Sequence, residues 1–459
     1  MQRQTLHTTV AAAALSLAVA AIGTGCGWLP PPPAPEPENL ITVGPAQMLT
    51  PDEVTEAYEQ QPAVKACRTS GGETARRFNG DWTDLVLGAL EDAVECRVIT
   101  YRSRDTAGQP IVLTGMLYLP ARWLPLPWRS TVPLIAYPHG TELRRDRVPS
   151  GNRGDEWFFG AAAALCAGFA VAMPDLPGMG GAAPSTYHPY CSANALAYAV
   201  TDMIRAVREA FDRDLYWTYE WNRRLFVLGY SEGAYAAMAT VREIQLHAEQ
   251  YPELAVTGSA CMAGPFDLSG TMRKTLIDRN TRLPRPFFLS YLFMGYHAIY
   301  GEPFDPRIAL NPVLLPDILG WMDGTKTGDE VDRLIRRRLD LADDQHAAPP
   351  DVVDPTWLAR ELDDAAVSEG EVRRILAEND LWSGWAPESP MLIRHSPDDE
   401  CVPYANSEKV YAEFTKAGAG GRLTWLPIGR PGDGINHVLG GVIGIPSAIL
   451  WFRDYFRDP

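Results

Sequence analysis

The stretch LFVLGYSEGAYAAM at 225–238 constrains this chain more than any other. Four apolar residues lead into Gly229-Tyr230-Ser231-Glu232-Gly233, and an alanine-rich run follows. The apolar run before the glycine reads as a buried strand and the run after it as a helix. Between them there is room only for a very tight turn. A side chain at Gly229 or Gly233 would collide with neighbouring elements, and Ser231 takes a strained backbone conformation. Its hydroxyl then projects above a sheet at the positive end of the following helix, where a developing negative charge is stabilised. G-x-S-x-G arises often by chance. The strand before it and the helix after it are what make Ser231 a candidate nucleophile.

The same alternation runs through the chain. Strand-like runs stand at 94–101, 111–119, 132–137, 168–173, 225–228, 255–262, 391–394 and 423–427, the first two joined by a turn at 105–109. Helical stretches fall at 156–167, 193–211, 234–250, 404–416 and 445–456, with a polar helical extension over 50–90. Short buried strands alternating with helices predict a mostly parallel sheet covered on both faces, an α/β fold. One region breaks the rhythm. Residues 268–387 intervene between the sixth and seventh strands and are rich in helix formers, prolines and aromatics, including PFFLSYLFMGYHAIY at 286–300. Aromatics at that spacing read as core packing. An insertion above the carboxyl edge of the sheet lies over the ligand crevice, so a cap or lid is expected.

Ahead of this domain, Arg3 precedes an apolar run at 10–23, too short to span a bilayer but suited to a signal peptide. Gly23-Thr24-Gly25-Cys26 resembles a lipobox, with Gly23 where leucine is usual; lipidation at Cys26 and an ordinary cleavage both remain open. PPPPAPEP at 30–37 reads as an extended tether. The expected organisation is a leader at 1–26, a linker at 27–49, a main domain split into 50–267 and 388–459, and a cap at 268–387. The formal charge of −16 repels phosphate backbones, which argues against nucleic acid as a partner. Beyond Cys26 six cysteines remain, enough for disulfides in an exported protein, though six allow fifteen pairings. None forms a C-x-x-C pair, so a thiolate zinc site has no support.

A serine hydroxyl needs a base to become a nucleophile, and the order serine, acid, histidine suits a strand–turn–helix serine. Beyond the nucleophile helix stand His297, His346, His395 and His437. His437 lies in GDGINHVLGG at 432–441, expected as a glycine-rich loop that carries the imidazole over Ser231 before the last helix. His395 ends the seventh strand and reads as a structural hydrogen-bonding residue. The acid is expected in MLIRHSPDDECVPY at 391–404, with Asp399 three residues before Val402-Pro403 preferred to Asp398. The alternative is that the acidic triplet is a solvated turn. Oxyanion donors are expected from the amide of Glu232 and from the loop YPHGTELR at 137–144, through Thr141 or Gly140. In this reading His139 and Asp175 are structural.

PDLPGMG at 174–180, HPYCSANALAYAVTDMIRAV at 188–207, GYSEGAYAA at 229–237, LWSGWAPESP at 381–390, HSPDDECVPYANSE at 395–408 and the closing His437-Val438 together resemble the secretory lipase-like family of α/β-hydrolases, the Candida lipase A type. The resemblance runs from about Cys96 to the end of the chain. It implies an α/β-hydrolase fold, ester hydrolysis without metal or cofactor, a helical cap between the sixth and seventh strands, and a triad of Ser231, Asp399 and His437. A peptidase or acyltransferase on the same triad is an alternative, as is a non-catalytic binding protein, because function sits in the pocket and not in the scaffold.

Overall fold

A computed structural model describes residues 38–61, 64–65, 93–121, 130–181, 187–213, 219–363 and 370–455. The expected leader, Cys26, the proline run and Cys67 lie outside these residues. Ten strands form one mixed sheet in the order β1-β3-β4-β6-β5-β7-β8-β9-β10, with β2 paired to β3. They are β1 Leu40–Val43, β2 Gln47–Leu49, β3 Ala93–Arg104, β4 Pro110–Ala121, β5 Ser130–Ala136, β6 Ala170–Pro174, β7 Tyr219–Tyr230, β8 Val256–Met262, β9 Met391–Arg394 and β10 Leu423–Trp425. From β6 to β10 every pairing is parallel, whereas β1 to β4 pair antiparallel and β4 joins β6 antiparallel. The sixth and seventh strands read from sequence are β8 and β9.

Alternation explains why both faces are covered. In β7, Leu225 and Val227 join one apolar cluster, while Phe226, Leu228 and Tyr230 join the other. The first cluster packs under α3 (Ala193–Arg213) and α4 (Glu232–Leu246), and the second under α1 (Pro51–Gln60), α2 (Trp157–Ala167) and α9 (His437–Tyr455). Phe226 alone, 1% exposed, contributes about 1.5–3 kcal/mol by leaving water. Between β8 and β9 the insertion forms helices, among them α5 (Phe287–Tyr300), α6 (Gly328–Arg338) and α7 (Glu371–Glu378); α8 (Ala405–Phe414) follows β9.

Three expectations differ from the structure. The stretch read as linker up to residue 49 contributes β1 and β2, which add themselves to the edge at β3. Strand β7 begins at Tyr219, because Tyr219, Glu220 and Trp221 already pair with Ser130, Thr131 and Val132 of β5 ahead of the apolar run. The last helix begins at His437 itself, so Gly440 and Gly441 are helical residues and not loop. Tyr230 explains them: a Cβ on Gly440 would stand 2.5 Å from its hydroxyl oxygen, and one on Gly441 3.2 Å from its ring. The glycines let a tyrosine pass against the helix. All five described cysteines, Cys96, Cys166, Cys191, Cys261 and Cys401, are free thiols.

Candidate active site

Ser231 stands between β7 and α4 with φ +57° and ψ −126°, outside the regions that L residues favour. Such a conformation costs on the order of 1–3 kcal/mol and persists only where packing over-determines it. Here the packing is explicit. A Cβ on Gly229 would fall 2.0 Å from the carbonyl oxygen of Gly233, and one on Gly233 would fall 2.3 Å from that of Pro138. The Ser231 amide donates to the Met262 carbonyl at 2.9 Å, tying the turn to the end of β8.

The Ser231 hydroxyl lies 2.9 Å from His437 Nε2, and His437 Nδ1 lies 2.6 Å from Asp399 Oδ2. A carboxylate at Nδ1 holds the proton there and leaves Nε2 as the acceptor for the serine hydroxyl. Burial disfavours the imidazolium, yet the Asp399 charge and hydrogen bond outweigh it and hold the His437 pKa above the ordinary value. Burial likewise opposes ionisation of Asp399, and His437 and His395 overcome it, holding the carboxyl well below the usual range. Asp399 Oδ1 accepts the amides of Cys401 (2.9 Å) and Val402 (2.8 Å). His395, fully buried, faces Ser407 Oγ at 2.8 Å and Asp399 Oδ2 at 3.1 Å, bracing the carboxylate as a structural histidine would.

The acidic triplet is not a solvated turn. Asp398 accepts the amides of Gly432 (2.9 Å) and Gly434 (2.7 Å), and Glu400 accepts that of His437 (2.9 Å). Each of the three carboxylates grips a different point of 432–437. From beneath, the Tyr230 hydroxyl donates to the His437 carbonyl at 2.7 Å.

The loop after β5 separates its two candidate donors. The Gly140 amide donates to Glu156 Oε1 at 3.1 Å, and Glu156 Oε2 accepts the Tyr137 hydroxyl at 2.7 Å, so Gly140 is already engaged. Burial pushes Glu156 up to about 7 against the pull of those two hydrogen bonds. Glu232, at the first position of α4, has no acceptor for its amide within the helix. His139 faces the carbonyls of Gly140 and Asp175, and Asp175 binds Thr114 and the Ser150 amide, which makes both structural.

Two features escape sequence reasoning. His188 Nε2 lies 2.5 Å from Glu232 Oε1, both groups buried, and Nδ1 faces the Pro177 carbonyl at 2.8 Å. His188 also stacks on Tyr291 of α5, 5.4 Å between centroids, and the Tyr291 hydroxyl donates to the Glu142 carbonyl at 3.0 Å. Glu156 is the second. Forty-four residues separate His188 from Glu232 and sixteen separate Gly140 from Glu156, and no spacing rule joins such pairs.

The sheet order, the strained serine between β7 and α4 and the loops converging on it define an α/β-hydrolase. The model of the secretory lipase family matches residues 157–279 and 357–459; the chain is similar to that family, and the match makes it a carboxylic ester hydrolase. No curated protein matches its sequence. Similar solved structures include a Legionella pneumophila protein (23% identity, TM-score 0.72, 92% of this chain and 99% of that one). The rice cell wall degrading esterase LipA of Xanthomonas oryzae is similar at 20% identity and TM-score 0.70, covering 92% and 98%. Candida antarctica lipase A is similar at 17% identity and TM-score 0.55, covering 75% and 73%. At these identities the likenesses carry the fold.

Proposed function

We propose that the protein is an exported serine esterase or lipase acting through Ser231, His437 and Asp399. The observation that carries this is the continuous hydrogen-bonded chain from the strained serine through the imidazole to a braced carboxylate. His437 takes the Ser231 proton as the oxygen attacks the ester carbonyl, and the oxyanion rests on the amides of Glu232 and Thr141. Collapse returns the proton to the leaving alcohol, giving an acyl-enzyme, and water activated by His437 releases the acid. The insertion at 268–387 serves as the cap: Tyr291 binds the Glu142 carbonyl and Phe288 stacks on Tyr190 at 6.0 Å. The apolar run at 10–23 supports export, and Cys26 offers a lipid tether to the outside of the cell membrane.

A fluorophosphonate probe is expected to label wild-type protein once, on the peptide carrying Ser231. Turnover of p-nitrophenyl esters should exceed that of the matching aminoacyl amide. No labelling would point to a binding protein, and faster amide cleavage to a peptidase.

The His437 assignment also makes a pH prediction. Activity requires neutral imidazole, so it should rise with pH through a value above that of ordinary histidine. Glu400 adds negative charge beside the imidazolium and helps to raise that value. Glu400→Gln should therefore move the acid limb of kcat/KM to lower pH. An unmoved limb, or one moved upward, would contradict the role of His437 as base.

A further inference from the structure

A glutamate directly after the nucleophile poses an electrostatic problem. Its amide is the proposed oxyanion donor, yet its side chain brings a negative charge into the same buried turn. Glu232 is 1% exposed, and a bare carboxylate there would repel the charge developing on the substrate oxygen. His188 answers that charge. Its Nε2 lies 2.5 Å from Glu232 Oε1 and its other nitrogen faces the Pro177 carbonyl, so the imidazolium can donate from both nitrogens. Tyr291 stacks on its face. The segment that holds His188 also reaches the second proposed donor, since Thr141 Oγ1 donates to the Tyr190 hydroxyl at 3.3 Å.

We infer that His188 is a positioning residue of the oxyanion site: it neutralises Glu232 and fixes its direction, so that the Glu232 amide can serve a negative oxygen. This rests on the assignment of Ser231 as nucleophile. Burial works against a charged His188, but the Glu232 charge and hydrogen bond prevail and its pKa stands above the ordinary value. With Nδ1 donating to a carbonyl, the contact between Nε2 and Glu232 Oε1 needs one shared proton, and the pair with that proton carries no net charge. Removing His188 alone strands a carboxylate beside the reaction, whereas removing both charges does not.

The test is a double-variant cycle on a p-nitrophenyl ester, with His188→Gln, Glu232→Gln and the two combined. His188→Gln is expected to lower kcat about 10- to 100-fold with KM within about twofold, because the loss falls on the transition state. Glu232→Gln should cost much less, and the combined variant should recover at least about fivefold of the His188→Gln loss. A packing role alone predicts the opposite, since the combined variant would then be no better than His188→Gln. Equal activity of His188→Gln and wild type, or no recovery in the combined variant, overturns the inference. If His188→Gln does not fold, a combined variant that folds and turns over supports it, and one that also fails to fold overturns it. Ser231→Ala run in parallel separates the two ideas: activity in that variant removes the nucleophile assignment and the inference with it.

Discussion

Ser231→Ala is expected to lower kcat for a p-nitrophenyl ester by about 10⁴- to 10⁶-fold, the range seen when a serine nucleophile is deleted from an intact triad. The expectation is this large because the hydroxyl is the only group proposed to bond to the carbonyl carbon. The proposed oxyanion amides of Glu232 and Thr141 and the imidazole of His437 would remain, and any residual rate over water is expected to come from them. Folding should survive. Alanine meets the same positive φ as serine, so backbone strain is unchanged, and the Gly229 and Gly233 contacts that enforce the turn are untouched. The lost hydrogen bond to His437 contributes about 1 kcal/mol, a shift of a few degrees at most in a chain of this size. Steady-state kinetics and a thermal melt of the same preparation check both halves. A folded variant retaining more than about one percent of wild-type kcat would sink the nucleophile assignment.

How much of this was legible in the sequence follows from how local each signal is. The tight turn at Ser231 is encoded within five residues, so its strand, helix and glycines could be read together. Asp399 and His437 depend on chain order and on short motifs at the ends of strands, and the structure brings both within hydrogen-bond reach of the site. Signals held between distant segments were not legible. Gly440 and Gly441 suggest a loop until Tyr230 is seen passing against them. Strands β1 and β2 follow a proline-rich stretch, and only the exposed edge of β3 gives them a partner. His188 stands in a motif that carried the family resemblance, but its partner Glu232 is known only from the fold. That the Gly140 amide is engaged could not be read either, because its acceptor Glu156 stands sixteen residues away, just before α2.

Asp399→Asn is expected to lower kcat by about 10⁴-fold while Asp398→Asn costs less than about tenfold, a contrast that separates two adjacent aspartates. The reason lies in what each oxygen accepts. Asparagine at 399 can keep its carbonyl oxygen on the amides of Cys401 and Val402, which turns its NH2 toward His437. Nδ1 must then accept, its proton moves to Nε2, and the imidazole can no longer take the proton of Ser231. Asp398 accepts two exposed backbone amides, which an asparagine oxygen can still serve in part. Stability supplies an independent readout with a defined sign. The folded carboxyl of Asp399 is depressed below its unfolded value, so its ionised form stabilises the native state above about pH 4. That contribution is lost as pH falls toward the folded value. Asp399→Asn should therefore melt below wild type at neutral pH, and the gap should narrow on acidification. Similar kcat for the two variants, or a gap that widens in acid, would show that Asp399 is not the carboxylate orienting His437.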